Sequence, residues 1–263
     1  STEGVFKRFL KPACQALQGH NDELRRFITD FLENFVTFVK GFRNLVDRAS
    51  PSNVTSPYRR LFSFLGLSAT VYPLILSLEA EGLLDDDDDL LSLIEALDVR
   101  VYKVRGTDPR ADLYKKAISR IKATSSSRAH KIRSFAKDFM DDDEFRLYLS
   151  RRMHKNPATK YILWEFEKHQ FPSFDEWDFD LYAGPDGVQI EHVLPVEPIF
   201  DFPAYGFSDE PDYQSNVHKL GNLTLLEESI NKRVGNRTPK GKTDARGYFS
   251  SKVPGTKSLG HHI

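Results

Sequence analysis

The sequence pattern changes near Phe171, and this change constrains the fold more than any other feature. Before it, apolar residues recur at three- and four-residue steps, most clearly over residues 22–48, which predicts a long amphipathic helix. After it, residues 171–215 hold six of the fourteen prolines of the chain, a composition typical of loops. We therefore predict a mainly α chain, with a helical domain over residues 1–170 and a small α+β domain over residues 171–263.

Within these two regions the periodicity predicts individual elements. Shorter helices are expected at about 57–67, 70–82, 87–97, 109–122, 127–139, 142–150 and 155–169. In the second region, short strands at 188–190 and 223–226 flank a long loop, and a helix begins near Glu227 and ends near Gly235. This region therefore has the order strand, long loop, strand and helix.

Cysteine usage and hydropathy exclude several classes of protein. The chain has one cysteine, Cys14, which excludes an internal disulfide framework and a multi-cysteine metal site. The longest apolar stretches are much shorter than the ~20 residues that a membrane span needs, and the N-terminal residues lack the apolar core of a signal peptide. We expect a cytoplasmic protein that makes no membrane contact; the sequence leaves its oligomeric state open.

The near-neutral net charge of −1 conceals an uneven distribution. Residues 1–170 carry a net charge of +4, residues 171–215 carry eleven acidic and no basic side chains, and residues 216–263 carry nine basic and three acidic side chains. A basic segment beside an acidic one indicates a polyanion contact next to carboxylates that hold a cation. The alternative on charge alone is a solvated basic tail.

The residue types that carry chemistry lie at the ends of the two predicted strands. Glu191 and His192 are adjacent at the end of the first strand, so their side chains point in different directions. A neutral imidazole is the commonest general base near pH 7. Asn222 opens the second strand and Asn231 lies nine residues later, in the helix; an Asn oxygen suits a magnesium-like cation.

The stretches EHVLP, LGNLTLL and the asparagine that follows them resemble an HNH endonuclease, the ββα-metal or His-Me finger. More narrowly, they are similar to the C-terminal nuclease domain of GmrSD-type, modification-dependent restriction proteins and of SspE-like phage-defence proteins. The resemblance covers residues 188–250, and the helical region resembles, less specifically, the segment that precedes this nuclease. The NTP-binding or sensor domain of the family has no counterpart here, so we expect a C-terminal part of a longer protein or system.

The resemblance implies a role for each matching residue. His192 matches the general base, Asn222 matches the residue that ties down the loop and orients that histidine, and Glu191 and Asn231 match the ligands of one divalent metal. Mg²⁺ is the expected ion, with Mn²⁺ or another divalent ion as alternatives. The expected DNA contacts, most of them to phosphates, are Lys219, Lys232, Arg233, Asn236, Arg237, Lys240 and Lys242.

The resemblance implies a metal-dependent DNA endonuclease that nicks or cuts both strands with little sequence specificity of its own. It would be the effector part of a restriction or phage-defence protein, with modified or phage DNA as its substrate. The competing hypothesis is a catalytically degenerate DNA-binding or protein-interaction module. His218 is an alternative ligand or phosphate contact, whereas His154 and His169 fall on helical segments and are expected to be surface or cap residues.

Overall fold

The structure, a computed structural model, describes residues 6–53, 56–84, 88–118, 125–174, 178–184 and 187–263. Its principal helices are α1 (Asn21–Arg48), α2 (Tyr72–Ala80), α3 (Asp88–Leu97), α4 (Ser125–Phe139), α5 (Asp142–Leu149), α6 (Thr159–Gln170), α7 (Glu228–Val234) and α8 (Pro254–His262). The two strands are β1 (Val188–His192) and β2 (Leu223–Glu227). In the described part of the chain, no helix combines the length and the hydrophobicity that crossing a bilayer requires.

Short helical segments connect these elements. They are Phe6–Leu10, Lys11–Ala16, Pro57–Arg59, Arg60–Leu65, Ala69–Val71, Asp98–Val104, Arg110–Leu113, Tyr114–Ile118, Phe179–Ala183, Phe202–Tyr205, Glu210–Asn216, Leu220–Asn222, Pro239–Lys242 and Tyr248–Ser250. The fold class, mainly α with a small α+β region at the C-terminal end, is confirmed. The sequence prediction lacks α8 and the helical segment Glu210–Asn216, which the structure contains. In addition, α6 begins at Thr159 rather than near residue 155, because residues 150–158 form turns. The predicted helix at 109–122 ends in residues that lie outside the described ranges.

The two strands pair antiparallel, with Val188 opposite Glu227 and His192 opposite Leu223. Because side chains alternate along a strand and directly paired residues share a face, the sheet has two different faces. One face carries Val188, Ile190 and His192 of β1; the other carries Gln189 and Glu191. This alternation sends the adjacent residues Glu191 and His192 to opposite sides of the sheet.

Each face of the sheet packs on its own hydrophobic core. Val188, Leu223 and Leu225 belong to the large core, which extends through the helical region and includes Trp164. On the opposite face, a small core contains Leu226, Ile230, Val234 and Tyr248, and α7 packs there across both strands. The large core therefore joins residues from both sides of position 170, while the predicted division into two domains there stays a prediction.

A thirty-residue connection joins β1 to β2 and has an aromatic centre of its own. Tyr213 is fully buried and its ring lies 5.0–5.8 Å from those of Phe200, Phe202 and Phe207. Its hydroxyl donates a hydrogen bond to the carbonyl oxygen of Pro195. This packing joins the two halves of the connection to each other, and His218 follows it beside the end of β1.

Candidate functional site

Three histidines from separate parts of the chain meet at the end of β1; we call His154, His192 and His218 the histidine cluster. His154 lies in the turns between α5 and α6, His192 ends β1, and His218 precedes β2. Their ring centroids lie 4.3–5.4 Å apart. His192 Nε2 lies 3.0 Å from His218 Nδ1, within hydrogen-bonding distance. One potential ligand atom of each histidine lies within 4.8 Å of those of the other two, so the cluster has the composition of a metal site.

Backbone contacts bring His154 to the cluster. The backbone N–H groups of Met153 and His154 donate to the carbonyl oxygen of His218, at 2.8 and 3.3 Å. Arg152 and Lys219 form an antiparallel β-bridge next to these bonds. The turn before α6 is thereby held against the segment before β2, which explains how residues 64 positions apart share one site.

Asn222 fixes the loop on the other side of the cluster. Its side-chain oxygen accepts a hydrogen bond from the backbone N–H of Leu194 at 2.7 Å. Its Nδ2 donates to the carbonyl oxygens of Leu194 and Val217, at 2.9 and 2.8 Å. These bonds join the residues just after His192 to the residue just before His218. Asn222 therefore holds together the two backbone segments that carry the hydrogen-bonded histidines.

All three imidazoles are driven towards their neutral forms. The pKa of His192 is lowered to about 3, mainly by burial and to a smaller extent by the electrostatic effects of His154, His218 and Lys242. Burial also lowers the pKa of His154 and of His218, with smaller contributions from Lys155 and Arg152. Nδ1 of His154 is buried and accepts or donates no hydrogen bond within the described part of the chain. The cluster therefore offers unprotonated nitrogen lone pairs at neutral pH.

A cavity of about 500 Å³ lies next to the cluster, lined by Arg152, His154, Lys155, Val196 and His218. Two of the five lining residues are permanently charged cations, so the cavity favours an anionic group such as a phosphate. His192 is 7% exposed and contacts two of the lining histidines. The arrangement places a neutral imidazole behind a cationic opening.

A larger cavity of about 660 Å³ lies between α6, α8 and the end of the sheet, and it has a different character. Its walls are mostly apolar, and Glu167 is the buried acid among them. Burial raises the pKa of Glu167 to about 7, and its carboxylate accepts a 2.8 Å hydrogen bond from the backbone N–H of Gly255. Apart from the terminal His262, no second acid, base or cation converges with Glu167 among the described lining residues. The histidine cluster is therefore the better candidate for a functional site.

Glu191 lies on the opposite face of the sheet, in a closed polar network. Lys242 Nζ donates to Glu191 Oε1 and to the carbonyl oxygen of His192, each at 2.6 Å. The hydroxyl of Tyr248 donates to the same carboxylate oxygen at 3.0 Å. The Lys242 side chain is 1% exposed. Burial lowers the pKa of Lys242 and raises that of Tyr248, while Glu191 opposes the shift of the lysine.

Two of the predicted site residues lie in contact, but they pair with each other and not with the imidazoles of the histidine cluster. Glu191, predicted to bind metal, and Lys242, predicted to bind phosphate, form a buried ion pair, and Lys242 meets His192 at its backbone carbonyl oxygen rather than at its imidazole. Asn231, the other predicted metal ligand, donates to Gln189 Oε1 at 3.3 Å, at the far end of β1 from His192. His192 and Asn222 are the predicted residues that do meet at the cluster.

The remaining predicted phosphate contacts are surface residues with varied partners. Lys219 lies beside the cavity, through its bridge to Arg152, and its Nζ donates to Asn216 Oδ1 at 2.8 Å. The others are Lys232, paired with Glu228; Arg233, bonded to the Arg246 carbonyl; Asn236, bonded to Glu197; Arg237, paired with Asp244; and the exposed Lys240. They spread over α7 and the segment after it rather than around the cavity.

The sequence prediction missed Arg152, His154 and Lys155. They belong to the run RRMHK, which lies at the connection between the predicted helices 142–150 and 155–169, and nothing in this run indicates that the connection packs against β1. His154 was expected to be a surface or cap residue, and the structure places it half-buried against His192. His169, by contrast, is an exposed residue of α6, with a side chain that is 72% exposed.

The C-terminal part of the chain combines a two-stranded antiparallel sheet with a following helix and places a histidine at the end of the first strand. The family model of the C-terminal domain of GmrSD restriction endonucleases matches residues 131–262, half of the chain. The chain belongs to this family, whose members are restriction nucleases. The match begins before α5 and so includes His154 as well as His192 and His218. No curated protein and no solved structure matches the chain.

Proposed function

We propose that the chain is a DNA endonuclease of a restriction or phage-defence system and that His192 is its general base. The family supports nuclease activity, and DNA is the substrate that a restriction nuclease implies. The observation that carries the proposal is a neutral histidine at the end of β1, hydrogen-bonded to His218 beside a cavity lined by two cations. A base, a residue that orients it and an anion-binding wall are the parts that phosphodiester hydrolysis needs.

The hydrogen bond between the two histidines engages Nε2 of His192, and which histidine is the donor depends on the tautomer. When His192 Nε2–H donates to His218 Nδ1, the lone pair of His192 is on Nδ1. In this tautomer, the water oxygen bonds to phosphorus while its proton moves to His192 Nδ1. The bond between phosphorus and the leaving oxygen breaks, its electron pair stays on that oxygen, and the leaving oxygen takes up a proton from solvent water. His218 acts through His192 and is a positioning residue, and Asn222 keeps both backbone segments in register.

DNA binding is attributed to the cations around the cavity. Arg152 and Lys155 line it and Lys219 lies next to it. Lysine and arginine contacts to phosphates carry little sequence information, so we propose low intrinsic sequence specificity. Recognition of modified or phage DNA would then belong to an N-terminal NTP-binding or sensor domain or subunit. Whether one DNA strand or both strands are cut would then depend on how two copies of this nuclease site are brought together on the DNA.

The family leads us to propose that cleavage needs a divalent ion, with Mg²⁺ the first ion to test. The residues expected to hold it do not fit as they lie here. The Glu191 carboxylate already accepts from Lys242 and Tyr248, and the Asn231 amide is bonded at the other end of β1. The reaction step described above therefore uses only side chains of this chain. The single cysteine, Cys14, supports the proposal that the protein works in the reducing cytoplasm.

A second function, protein interaction, is favoured by one specific observation. Helix α1 exposes a row of large apolar side chains along most of its length: Ile28, Leu32, Phe35, Val36, Phe38, Val39, Phe42 and Val46, each 42–56% exposed. Exposed apolar rows of this size mark contact surfaces. The two functions are compatible, because α1 lies outside residues 131–262, which match the nuclease family. Charged substitutions at Phe35 and Phe42 that leave plasmid cleavage unchanged would separate them.

The test of the nuclease proposal is cleavage of supercoiled plasmid by purified chain with Mg²⁺ or Mn²⁺. We expect His192→Ala to lose at least about 100-fold in rate, since a positioned base contributes roughly 10²–10⁴-fold. The control is His130→Ala, which removes an exposed histidine of α4. DNA binding by His192→Ala, measured by fluorescence anisotropy, should stay close to wild type. Cleavage that survives both His192→Ala and EDTA would contradict the proposal.

A further inference from the structure

We propose that the histidine cluster binds one transition-metal ion of the zinc class and that this ion silences cleavage by occupying His192. The regulatory part of this inference rests on the proposed function, whereas the metal site itself does not. The metal is also a different one from the Mg²⁺ that the family resemblance implies, because it uses other residues and another donor chemistry.

The geometry of the cluster suits a single ion. Zinc–nitrogen bonds are about 2.0–2.1 Å long, so ligand nitrogens of one site lie roughly 3–3.5 Å apart. In the cluster the nearest pair is 3.0 Å apart and all three ligand atoms lie within 4.8 Å of one another. Small side-chain rotations therefore suffice to form the site. His154 and His218 also line the cavity of Arg152 and Lys155, so that cavity has room for a water molecule as a fourth ligand.

The His154 imidazole supplies an independent indication. Its Nδ1 is buried and has no hydrogen-bond partner within the described residues. Buried polar atoms of this kind are rare, and each needs an explanation such as an ion or a water. A metal ion bound between His154, His192 and His218 would satisfy this nitrogen and replace the hydrogen bond between the other two.

The donor set selects the kind of metal. Among the described residues the cluster contains three imidazoles and no carboxylate. Mg²⁺ and Ca²⁺ prefer oxygen ligands, whereas zinc, cobalt and nickel ions bind imidazole nitrogen well. We therefore expect binding of Zn²⁺ and Co²⁺ and none of Mg²⁺ at this place.

Coordination and base catalysis exclude each other at His192. A neutral imidazole has one lone pair, and when that nitrogen binds a metal the other nitrogen carries the hydrogen. His192 bound to zinc can no longer accept a proton from water. Zinc would therefore block the reaction at the base, and it would also tie the turn before α6 to the sheet because His154 comes from that turn.

The binding experiment uses the full, metal-stripped chain without DNA. Isothermal titration with Zn²⁺ and the visible absorption of bound Co²⁺ are compared for wild type, His154→Ala and the exposed control His130→Ala. We expect one ion per wild-type or His130→Ala chain, at least about 100-fold weaker affinity for His154→Ala, and no Mg²⁺ competition. Equal affinity in His154→Ala, absence of Zn²⁺ binding in wild type, or competition by Mg²⁺ would each overturn the site.

The regulatory part is tested by the ratio of each protein's cleavage rates with and without Zn²⁺, in excess Mg²⁺. We expect the ratio to fall at least about 10-fold for wild type and to stay near one for His154→Ala at the same Zn²⁺ concentration. Zinc that stimulates wild type, or inhibits both proteins equally, would overturn the silencing. If the chain binds Zn²⁺ through His154 but never cuts DNA, the zinc site stands and the nuclease proposal is refuted. If the chain cuts DNA but does not bind Zn²⁺, the nuclease proposal stands and the zinc site is refuted.

Discussion

Glu191 and His192 are neighbours at the end of one strand, yet they lie in opposite environments. On one side of the sheet, Glu191 is closed in by Lys242 and Tyr248 over a small apolar core. On the other side, His192 meets two more imidazoles beside a cationic cavity. The comparison teaches that one strand end can stabilise the fold on one face and carry the chemistry on the other.

The difference follows from what each face can offer to a charged group. A buried carboxylate is tolerated because a lysine and a tyrosine satisfy it, and removing either partner leaves a costly charge. A buried imidazole pays no such cost when it is neutral, so it keeps a lone pair available. Glu191 therefore belongs to the framework that holds His192, through the bond from Lys242 Nζ to the His192 carbonyl oxygen.

The largest stability effect should come from breaking the closed face. Lys242→Met removes the buried partner of Glu191, and breaking a buried pair costs about 3–5 kcal/mol. For a chain of this size we expect the melting temperature to fall by roughly 10 °C. Lys240→Met, at an exposed position of the same short helix, is the control and should melt like wild type. A small change for Lys242→Met would mean that the pair contributes little to the framework.

A smaller effect should appear in the pH dependence of stability. The pKa of His192 is lowered from 6.5 to about 3 in the folded chain. The unfolded chain therefore takes up the proton first, so the stabilising contribution is complete above pH 6.5 and is lost as the pH falls towards 3. As the pH is lowered from 6.5 to 4, we expect the melting temperature of wild type to fall more steeply than that of His192→Gln. Parallel curves would show that His192 is not held neutral by its surroundings.

The smallest effect should come from the cationic rim of the open face. Arg152→Gln and Lys155→Gln each remove one charge from the cavity wall, so each should weaken DNA binding about 3- to 10-fold. Each should also reduce the slope of log affinity against log salt by roughly one. Arg133→Gln, at an exposed position of α4, serves as the control. An unchanged salt slope in the rim variants would place the DNA elsewhere, for example on the cations of α7.

Much of this arrangement could be predicted from local sequence. The periodicity over residues 22–48 predicts α1 to within one residue, and the motif around β1 and β2 predicts the sheet and α7. His192 and Asn222 lie together because a strand end and the residue before its partner strand are neighbours in any antiparallel pair. These features depend on short-range geometry that the sequence pattern expresses directly.

The rest depends on tertiary packing, which local patterns do not express. His154 reaches the cluster because its turn is bonded to the His218 carbonyl, and no periodicity indicates a contact across 64 residues. Lys242 looked like a phosphate contact because it lies in a basic segment, but the segment folds back and buries it under Tyr248 and Glu191. The charge of a residue follows from its type, whereas its burial depends on the segments that pack around it.

The most direct measurement compares Glu191→Gln with His192→Gln for both plasmid cleavage and melting temperature. We predict that His192→Gln loses cleavage at least about 100-fold while its melting temperature stays within a few degrees of wild type. Glu191→Gln should instead melt several degrees lower and, assayed below that temperature, keep most of its cleavage. The opposite result, in which Glu191→Gln melts like wild type but no longer cuts DNA, would make Glu191 part of the reaction centre and contradict the division between the two faces.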